Sequence, residues 1–365
     1  MPGAAPRPST PAERVAPDRA APQRVAPDRA APQRATQTAR RIGVVSGGTS
    51  AEHDVSVASA AAVEAALARL GVETIRLRIE RDGCWSTRGR PLGSSPAAGL
   101  AAALELLAGA DAMYPMIHGA PGEDGALAAL GTLAGLRVIG SPLTASAVTM
   151  DKELTKLVAA AHGVDVAPGR CYRADELDAG IPFGGTAIVK PTTAGSSHGV
   201  RLARTAAEFA GAIAEARRFD DRVLVEQPIA GREIDVAVVR TARGELLVPP
   251  PLEIHGEGVF DSATKYDGSA RFTVPAAIDD GTARRLRETA CRLFELIGCD
   301  AIARLDFFVT PDGRLVLNEI NTIPGMTAHS QVPRMFAAAG VSYDELIGCL
   351  VGVPVPTRTP ATVGA

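Results

Sequence analysis

The feature that most constrains the fold is an alternation of strand and helix that begins at Arg41. The apolar run Ile-Gly-Val-Val at 42–45 indicates a short buried strand, and an Ala-rich helix is predicted to follow over 54–70. The pattern continues with a strand over 74–79, a helix over 100–108 and a strand over 112–117. Strands that alternate with helices build a parallel sheet with helices packed on it, so this part is predicted to be α/β.

From about Asp151 the pattern is mixed, and strands and helices no longer alternate one by one. Helices are predicted over 151–162, 282–297 and 343–351, with several strands and a polar loop over 253–272 between them. Such a mixture is typical of α+β structure. A chain of 365 residues also exceeds what one small core needs, so two or three domains are expected.

Composition excludes several classes of protein. The net charge of -3 provides no general field for nucleic acid or an anionic membrane, so neither is expected as a partner. No apolar run is long enough to cross a bilayer, and there is no signal-peptide core, which predicts a cytoplasmic protein. The five cysteines are scattered and never form a C-x-x-C pair, so reduced thiols are expected rather than disulfides or a zinc site.

Residues 1–40 are rich in Ala, Pro and Arg and contain the ten-residue unit RVAPDRAAPQ twice in tandem. Because proline recurs every few residues, neither a helix nor a sheet ladder is expected, and the segment is predicted to be a disordered tail. Its basic charge leaves two interpretations, weak contact with an anionic partner or an inert extension. A short flexible end is predicted over 356–365.

The strongest chemical signal is a hairpin near 301–321. Asp312-Gly313 separates two β-rich runs, and a two-residue turn there makes the numbers of facing residues sum to 625. The facing pairs of interest are then Asp306 with Glu319 and Arg304 with Asn321. Two carboxylates this close repel each other unless a cation lies between them, and carboxylate and amide oxygens suit Mg²⁺. The alternative is a solvated polar face with one carboxylate protonated or turned away.

A second signal comes from lysine. Of the 38 basic residues only four are lysines: Lys152, Lys156, Lys190 and Lys265. A GC-rich genome would explain the arginines, but lysine and arginine differ physically, so the retained lysines are candidate site residues. Lys190 ends a predicted strand, and the small-residue loop 191–199 has backbone N–H groups and hydroxyls that can fold over phosphates. The Walker pattern G-x-x-x-x-G-K-[ST] is absent from the sequence, and a flexible hairpin is the alternative.

Two further loops follow predicted parallel strands. Residues 46–54 (SGGTSAEHD) follow the first strand, and residues 118–125 (HGAPGEDG) follow a later one. Ligands of open α/β sheets gather beyond the carboxyl ends of the strands, so both loops are candidate site segments. The first loop lacks the G-x-G-x-x-G spacing, which disfavours a dinucleotide-binding dehydrogenase.

Eight segments occur along the chain in this order: GGTSAEHDVS (47–56), HGAPGEDG (118–125), MDK (150–152), VKPTTAGSSHG (189–199), VEQ (225–227), KY (265–266), ARLD (303–306) and NEINTIPGMTAHS (318–330). Together they resemble the D-alanine–D-alanine ligases, a family of the ATP-grasp superfamily. The resemblance covers about 41–351.

The resemblance implies a three-domain ATP-grasp architecture. An N-terminal parallel α/β domain over 41–149 would hold the first substrate. A central lobe over 150–232 and a C-terminal lobe over 233–355 would enclose ATP, and the C-terminal lobe would carry a site for Mg²⁺, or for Mn²⁺ in its place. The family further implies a cytoplasmic homodimer with small-molecule substrates.

The family's functional residues carry over to matching positions of this chain. The residues expected to bind ATP are Lys152, Lys190, Lys265 and Ser196 at the phosphates, Glu226, Gln227 and Ile229 around the base, and Glu233 at the ribose. The implied metal ligands are Asp306, Glu319 and Asn321. The implied catalytic residues are Glu52 for the first ammonium, His118 at the substrate site, Ser196 with Tyr266 to close that site, Arg304 for the tetrahedral intermediate and Ser330 for the second carboxylate. A structural histidine is the alternative for His118, and Lys156 is expected on the helix surface.

The implied reaction is the ATP-dependent ligation of two D-alanines through a D-alanyl phosphate, for peptidoglycan precursor synthesis. Tyr266 favours an amine as second nucleophile, and ligation of D-serine or D-lactate is the alternative. Departures from the family pattern at Thr193-Ala194, His198, Gln227 and Gln331 leave room for a paralogue of antibiotic biosynthesis or self-resistance. Two further alternatives are an ATP-grasp ligase of another acid or amine and a silent nucleotide-binding module.

Overall fold

The computed structural model describes residues 22–25, 39–173, 176, 185–255 and 271–354. Within these ranges the chain forms a six-stranded, a four-stranded and an eight-stranded sheet. Lys265, Tyr266 and the predicted flexible end lie outside the described residues, as does most of the predicted tail. No helix in the described ranges is both long and apolar enough to cross a membrane.

A short strand, β1 (Gln23–Val25), lies within the segment predicted to be disordered. It pairs antiparallel with residues 246–248 at the edge of the eight-stranded sheet. The expectation that the tail forms no sheet ladder is therefore wrong for these residues. An edge strand is hydrogen-bonded on one side only, so it tolerates a proline such as Pro22 next to it.

The six-stranded sheet contains the first part of the chain. Its strands are β2 (Arg41–Gly47), β3 (Glu73–Ile79), β4 (Trp85–Thr87), β5 (Arg90–Pro91), β6 (Ala112–Pro115) and β7 (Arg137–Val138), in the spatial order β5-β4-β3-β2-β6-β7. The neighbouring strands β3, β2, β6 and β7 are parallel, as predicted. The helices of this part are α1 (His53–Arg69), α2 (Pro96–Leu107), α3 (Ala126–Leu133) and α4 (Leu143–Met150). Helix α2 begins four residues before its predicted start because Ser95 caps it and Pro96 suits its first turn.

The four-stranded sheet follows helix α5 (Lys152–Ala161) and the short strand β8 (Asp165–Val166). It is antiparallel and contains β9 (Gly169–Arg173), β10 (Ala187–Pro191), β11 (Arg201–Ala203) and β12 (Arg222–Glu226), in the order β11-β10-β12-β9. Helix α6 (Ala206–Ala216) packs against it through side chains such as Phe209 and Ile213.

The eight-stranded sheet contains the last part of the chain. Its further strands are β13 (Arg232–Arg240), β14 (Leu246–Val248), β15 (Leu252–His255), β16 (Arg271–Thr273), β17 (Ile302–Val309) and β18 (Leu315–Asn321). The order is β1-β14-β13-β17-β18-β8, and β15 joins β13 to β16. The predicted polar loop over 253–272 is wrong at both ends, because residues 253–255 belong to β15 and residues 271–272 belong to β16. The remaining helices of the described ranges are α7 (Asp280–Ile297), α8 (Gln331–Ala338) and α9 (Tyr343–Val351).

The register of the β17–β18 hairpin agrees with the prediction at its open end. Asp306 pairs with Glu319 and Arg304 with Asn321, so the paired numbers sum to 625 there. Nearer the turn Val309 pairs with Leu315, and the sum is 624. Asn318 is the extra residue of a β-bulge between the two stretches.

The predicted two-residue turn is wrong. Residues 310–314 form a longer loop, in which Gly313 has a φ of 82° and its N–H donates to Thr310 O at 2.8 Å. The longer loop and the bulge shift the register by one residue in opposite directions. The predicted facing pairs are right because these two departures cancel.

The first sheet and the eight-stranded sheet share a hydrophobic core. Val63 of α1 belongs to the same buried cluster as Phe336 of α8 and Ile347 of α9. At the rim of this contact, Arg69 donates to both oxygens of Asp344 at 2.8 and 2.6 Å. This packing holds the loops of the first sheet beside the β17–β18 hairpin.

Candidate active site

Glu52 lies where the first parallel strand meets its helix. Strand β2 ends at Gly47, and Gly47 and Gly48 have positive φ values of 87° and 102°, which glycine adopts without steric cost. The turn brings Glu52 to the start of α1, where it is buried. The Ser196 hydroxyl, 144 residues further along the chain, donates a hydrogen bond to Glu52 Oε1. Two residues that the resemblance brings to one site are therefore in contact.

The loop between β10 and β11 approaches this carboxylate closely. Ser196 and Ser197 have positive φ values of 48° and 56°. Such backbone is costly for residues with a side chain and is enriched at functional sites. A Cβ on Gly195 would lie 2.8 Å from Glu52 Oε2. A side chain at position 195 would therefore require the Glu52 carboxylate or the loop to move.

Three of the predicted nucleotide-binding residues, together with Lys156, lie near this loop. The three are Lys152, Lys190 and Glu226. Lys152 Nζ donates to Ala194 O of the loop at 2.7 Å. Glu226 forms two ion pairs: its Oε2 lies 2.6 Å from Lys190 Nζ, and its Oε1 lies 2.8 Å from Lys156 Nζ. Burial acts to raise the pKa of Glu226, but the two lysines outweigh it and lower the pKa. Glu226 is therefore ionised.

Lys156 is buried, with 6% of its surface exposed, so its predicted place on the helix surface is wrong. Burial, with the charge of Lys190, lowers the pKa of Lys156 to about 8, although Glu226 opposes this shift. A spacing rule could have found the residue. Lys156 lies four residues after Lys152, which places both on one face of α5.

The acidic face predicted from the hairpin is present. Asp306 and Glu319 face each other on β17 and β18, and Asn321 Nδ2 donates to Asp306 Oδ2 at 3.1 Å. Arg304 donates to the two Asp306 oxygens through Nε and Nη2, both at 2.7 Å. Lys152 Nζ lies 3.6 Å from Glu319 Oε2. Burial acts to lower the pKa of Arg304, but Asp306 outweighs it and raises the pKa well above its ordinary value.

The oxygens of this face suit a magnesium ion. Two carboxylates and one amide oxygen are hard donors, and Mg²⁺ usually completes its shell with substrate phosphates and water. Among the described residues, no group of three or more His, Cys, Asp and Glu side chains could hold a metal ion. The donor set therefore fits a metal ion that is bound partly by the protein and partly by a nucleotide. It fits a structural metal ion bound by protein side chains alone less well.

His118 follows β6 and is fixed between the two packed sheets. Its Nδ1 lies 2.7 Å from Ile323 O, and its Nε2 lies 3.2 Å from Ser59 Oγ. Burial lowers the pKa of His118, although the Glu52 carboxylate opposes this shift. Both ring nitrogens are engaged within the protein, which supports the structural role left open by the sequence.

Glu123 lies in the same loop and had no role assigned from the sequence. Its Oε2 accepts a hydrogen bond from Gly119 N–H at 2.9 Å. Desolvation and the charge of Glu52 raise the pKa of Glu123 to about 8, although the hydrogen bond opposes this shift. A neutral carboxyl group near Glu52 can donate as well as accept a hydrogen bond.

The other predicted site residues surround this cluster. Ser330 is the N-cap of α8, and its Oγ lies 2.9 Å from Thr327 Oγ1. Gln227 is exposed and Ile229 is partly exposed in the segment after β12, and Glu233 is on β13. The roles of Lys265 and Tyr266 remain predictions, because both lie outside the described residues.

Asp235 and Gln331 complete the network and were not assigned from the sequence. Gln331 Nε2 donates to Asp235 Oδ2 at 2.7 Å, and its Oε1 accepts from Arg304 Nη1 at 2.6 Å. Asp235 carried a signal, since it is a charged residue within an apolar strand and lies on the same face as Glu233. Gln331 was noted only as a departure from the family pattern, and its contacts could not be predicted because its two partners are 96 and 27 residues away.

Comparisons with known proteins identify the family of this chain. Residues 41–141 match the family model described as D-ala D-ala ligase N-terminus, and residues 179–352 match that of the C-terminus. A D-alanine–D-alanine ligase of Mycolicibacterium smegmatis is 37% identical, and the match covers 87% of this chain and 96% of the relative. A D-alanine–D-alanine ligase of Rhodococcus opacus is also 37% identical, and the match covers 87% of this chain and 98% of the relative.

Two solved structures are similar in both fold and sequence. The VanG D-Ala:D-Ser ligase of Enterococcus faecalis has a TM-score of 0.72 and 31% identity, covering 86% of this chain and 99% of that one. The D-alanine–D-alanine ligase of Coxiella burnetii has a TM-score of 0.69 and 30% identity, covering 86% and 94%. The matches to both family models and to these relatives show that the chain belongs to the D-alanine–D-alanine ligase family and has the ATP-grasp fold.

Proposed function

We propose that the protein joins two D-alanine molecules to D-alanyl-D-alanine and converts ATP to ADP and phosphate. The observation that carries the proposal is the position of the loop after β10. Its Ser196 contacts Glu52, while its Ala194 O accepts from Lys152, whose Nζ also lies 3.6 Å from Glu319. An ammonium-binding carboxylate, a phosphate-binding loop and an acidic face thus border one space.

The first step overcomes the poor reactivity of a carboxylate towards an amine. The carboxylate of the first D-alanine attacks the γ-phosphorus of ATP, the bond to the bridging oxygen breaks, and ADP leaves. Lys152 and Lys190 offset the charge of the phosphates, and Glu52 holds the ammonium group of the substrate. Asp306, Glu319 and Asn321 would hold Mg²⁺, which supplies further neutralisation of phosphate charge when bound.

The second step forms the peptide bond. The neutral amine of the second D-alanine attacks the carbonyl carbon of the acyl phosphate. The nitrogen then loses a proton to solvent, the bond from the carbonyl carbon to the bridging oxygen breaks, and the phosphate leaves with this former carboxylate oxygen. Arg304, partly buried and cationic, stabilises the oxyanion of the tetrahedral intermediate. Ser330 and the first N–H groups of α8 bind the carboxylate of the second D-alanine, since the N-terminus of a helix favours anions.

The proposal includes a preference for adenine and a place in the cell. An ionised Glu226 only accepts hydrogen bonds, so it favours a base that presents an amino group. The product belongs to peptidoglycan precursor synthesis, which requires a cytoplasmic enzyme, and we expect it to be a homodimer using Mg²⁺ or Mn²⁺.

A second candidate is the ligation of D-alanine to D-serine. It is favoured by the similarity to a solved D-Ala:D-Ser ligase with a TM-score of 0.72. Mass spectrometry of products from ATP, Mg²⁺ and D-alanine, with and without D-serine or D-lactate, separates the candidates. We expect D-alanyl-D-alanine to dominate in every mixture. A dominant D-Ala–D-Ser product would select the second candidate, and no product from D-alanine would refute both.

A further inference from the structure

We propose that Gln331 is a positioning residue, which holds the Arg304 guanidinium in its working orientation by linking it to the buried carboxylate of Asp235. The proposal rests on the proposed function for the role of Arg304 in catalysis. The contacts that carry it are independent of that function.

The Arg304 guanidinium is fixed from two sides. On one side Nε and Nη2 each donate to Asp306 at 2.7 Å. On the other side Nη1 donates to Gln331 Oε1 at 2.6 Å. The Gln331 amide is itself fixed, because its Nε2 donates to Asp235 Oδ2 at 2.7 Å. Asp235 has no exposed surface, so this second anchor is part of the core.

The polarity of the link is specific. Arginine can only donate and an ionised carboxylate can only accept, and an amide side chain can do both at once. Gln331 therefore joins Arg304 and Asp235 as a hydrogen-bonded relay, with its oxygen towards the cation and its nitrogen towards the anion. An apolar side chain at this position would remove both bonds.

The charges explain why a second anchor matters. Asp235 and Asp306 face each other across β13 and β17, and carboxylates so placed repel unless a cation lies near both. Arg304 Nε lies 2.7 Å from Asp306 Oδ1 and 3.5 Å from Asp235 Oδ2. Asp306 is also a proposed metal ligand, and a carboxylate that binds a second cation holds the first less firmly. The link through Gln331 keeps Arg304 in place in that case.

Two substitutions that preserve size test the polarity of the relay. Gln331→Glu replaces the Nε2 donor with an acceptor facing Asp235, so the two carboxylates repel. Asp235→Asn then supplies the missing donor from the other side. We expect Gln331→Glu to lower the melting temperature and to lower kcat by about tenfold or more, with the KM for ATP changed less than about twofold. In the Gln331→Glu/Asp235→Asn double variant we expect the melting temperature to recover and kcat to return to within about twofold of the wild-type value.

Two controls separate positioning from a general loss of fold. Asp165→Asn makes the same change at an exposed carboxylate, 4.0 Å from the exposed Arg314, and is expected to alter neither quantity. Gln331→Leu removes both bonds, so its loss of kcat should not be relieved by Asp235→Asn.

Two results would overturn the proposal: wild-type kcat and melting temperature in Gln331→Glu, or no recovery in the double variant. Failure of the proposed function is a different result, in which the wild type forms no dipeptide. The recovery of melting temperature in the double variant still tests the link in that case.

Discussion

Ser196 and Glu52 are separated by 144 residues of chain, and the hydroxyl of one donates a hydrogen bond to the carboxylate of the other. The contact joins the loop after β10 to the turn after β2. Ser196 makes this contact with a positive φ of 48°, a conformation that is costly for a residue with a side chain. Strained backbone of this kind clusters at functional sites, so the contact between Ser196 and Glu52 supports placing both residues in the active site.

The close approach of Gly195 to Glu52 makes a direct prediction. In Gly195→Ala the new Cβ would lie 2.8 Å from Glu52 Oε2, so the loop or the carboxylate must move. Because small displacements in a site are costly, we expect the KM for the first D-alanine to rise by about tenfold to a hundredfold. Steady-state kinetics measures this change.

Gly211→Ala is the matched control for that variant. A Cβ at Gly211, in the exposed part of α6, meets nothing within 4 Å. We expect unchanged kinetics and a free energy of unfolding higher by about 0.5–1 kcal/mol, the usual gain of alanine over glycine in a helix. Equal KM values for the two variants would contradict the placement of Glu52 in the substrate site.

The acidic face makes a second prediction. Glu319→Gln removes one of two facing carboxylates, so the affinity for Mg²⁺ should fall and activity should drop by about a hundredfold or more at ordinary Mg²⁺. Calorimetric titration with Mg²⁺ in the presence of a nucleotide measures the affinity, and circular dichroism checks that the fold survives. Glu288→Gln, in an exposed pair 3.3 Å from Arg284, should behave as the wild type. Full activity of Glu319→Gln would refute the metal assignment.

Lys156 makes a third prediction, although its role was missed from the sequence. Lys156→Met leaves Glu226 with one lysine, and Lys190 is then shared between Glu226 and the phosphates of ATP. A bond between charged groups contributes about 1.5–3 kcal/mol, so we expect the KM for ATP to rise by about tenfold or more while kcat changes little. Arg201→Met, which removes an exposed partner of Glu215, should leave both constants unchanged. An unaltered KM in Lys156→Met would exclude Lys156 from the nucleotide site.

Glu123 makes a prediction about pH. Its pKa in the folded protein is raised from 4.5 to about 8, so between these values the folded state retains a proton that the unfolded state has lost. The stability that this proton contributes is complete below pH 4.5 and is lost as the pH rises through 8. Relative to Glu123→Gln, which cannot titrate, the wild type should lose melting temperature across this window. Parallel melting curves at every pH would show that the carboxyl group of Glu123 is not perturbed.

Much of the fold follows from local patterns. The alternation after Arg41 predicted the parallel sheet, and apolar periodicity placed α1, α5, α7 and α9 within a few residues of their observed bounds. The strand β1 could not be found in this way, because its pairing with residues 246–248 is a long-range contact in a proline-rich segment.

The site was less accessible to sequence reasoning, for two physical reasons. The facing of Asp306 and Glu319 was predicted correctly, but only because the bulge at Asn318 compensates for a longer turn. The relay from Arg304 through Gln331 to Asp235 joins three separate elements, and only the folded chain shows which polar ends meet. The family resemblance supplied the roles expected of individual site residues, whereas the contacts of this chain required the structure.

The central claim is that the carboxylate of the first D-alanine is phosphorylated before the peptide bond forms. Its most direct test uses D-alanine with ¹⁸O in both carboxylate oxygens, together with ATP and Mg²⁺, and mass spectrometry of the released phosphate. The mechanism predicts one ¹⁸O atom in each phosphate and three in each D-alanyl-D-alanine. Unlabelled phosphate beside a dipeptide product would show that no acyl phosphate forms and would contradict the mechanism.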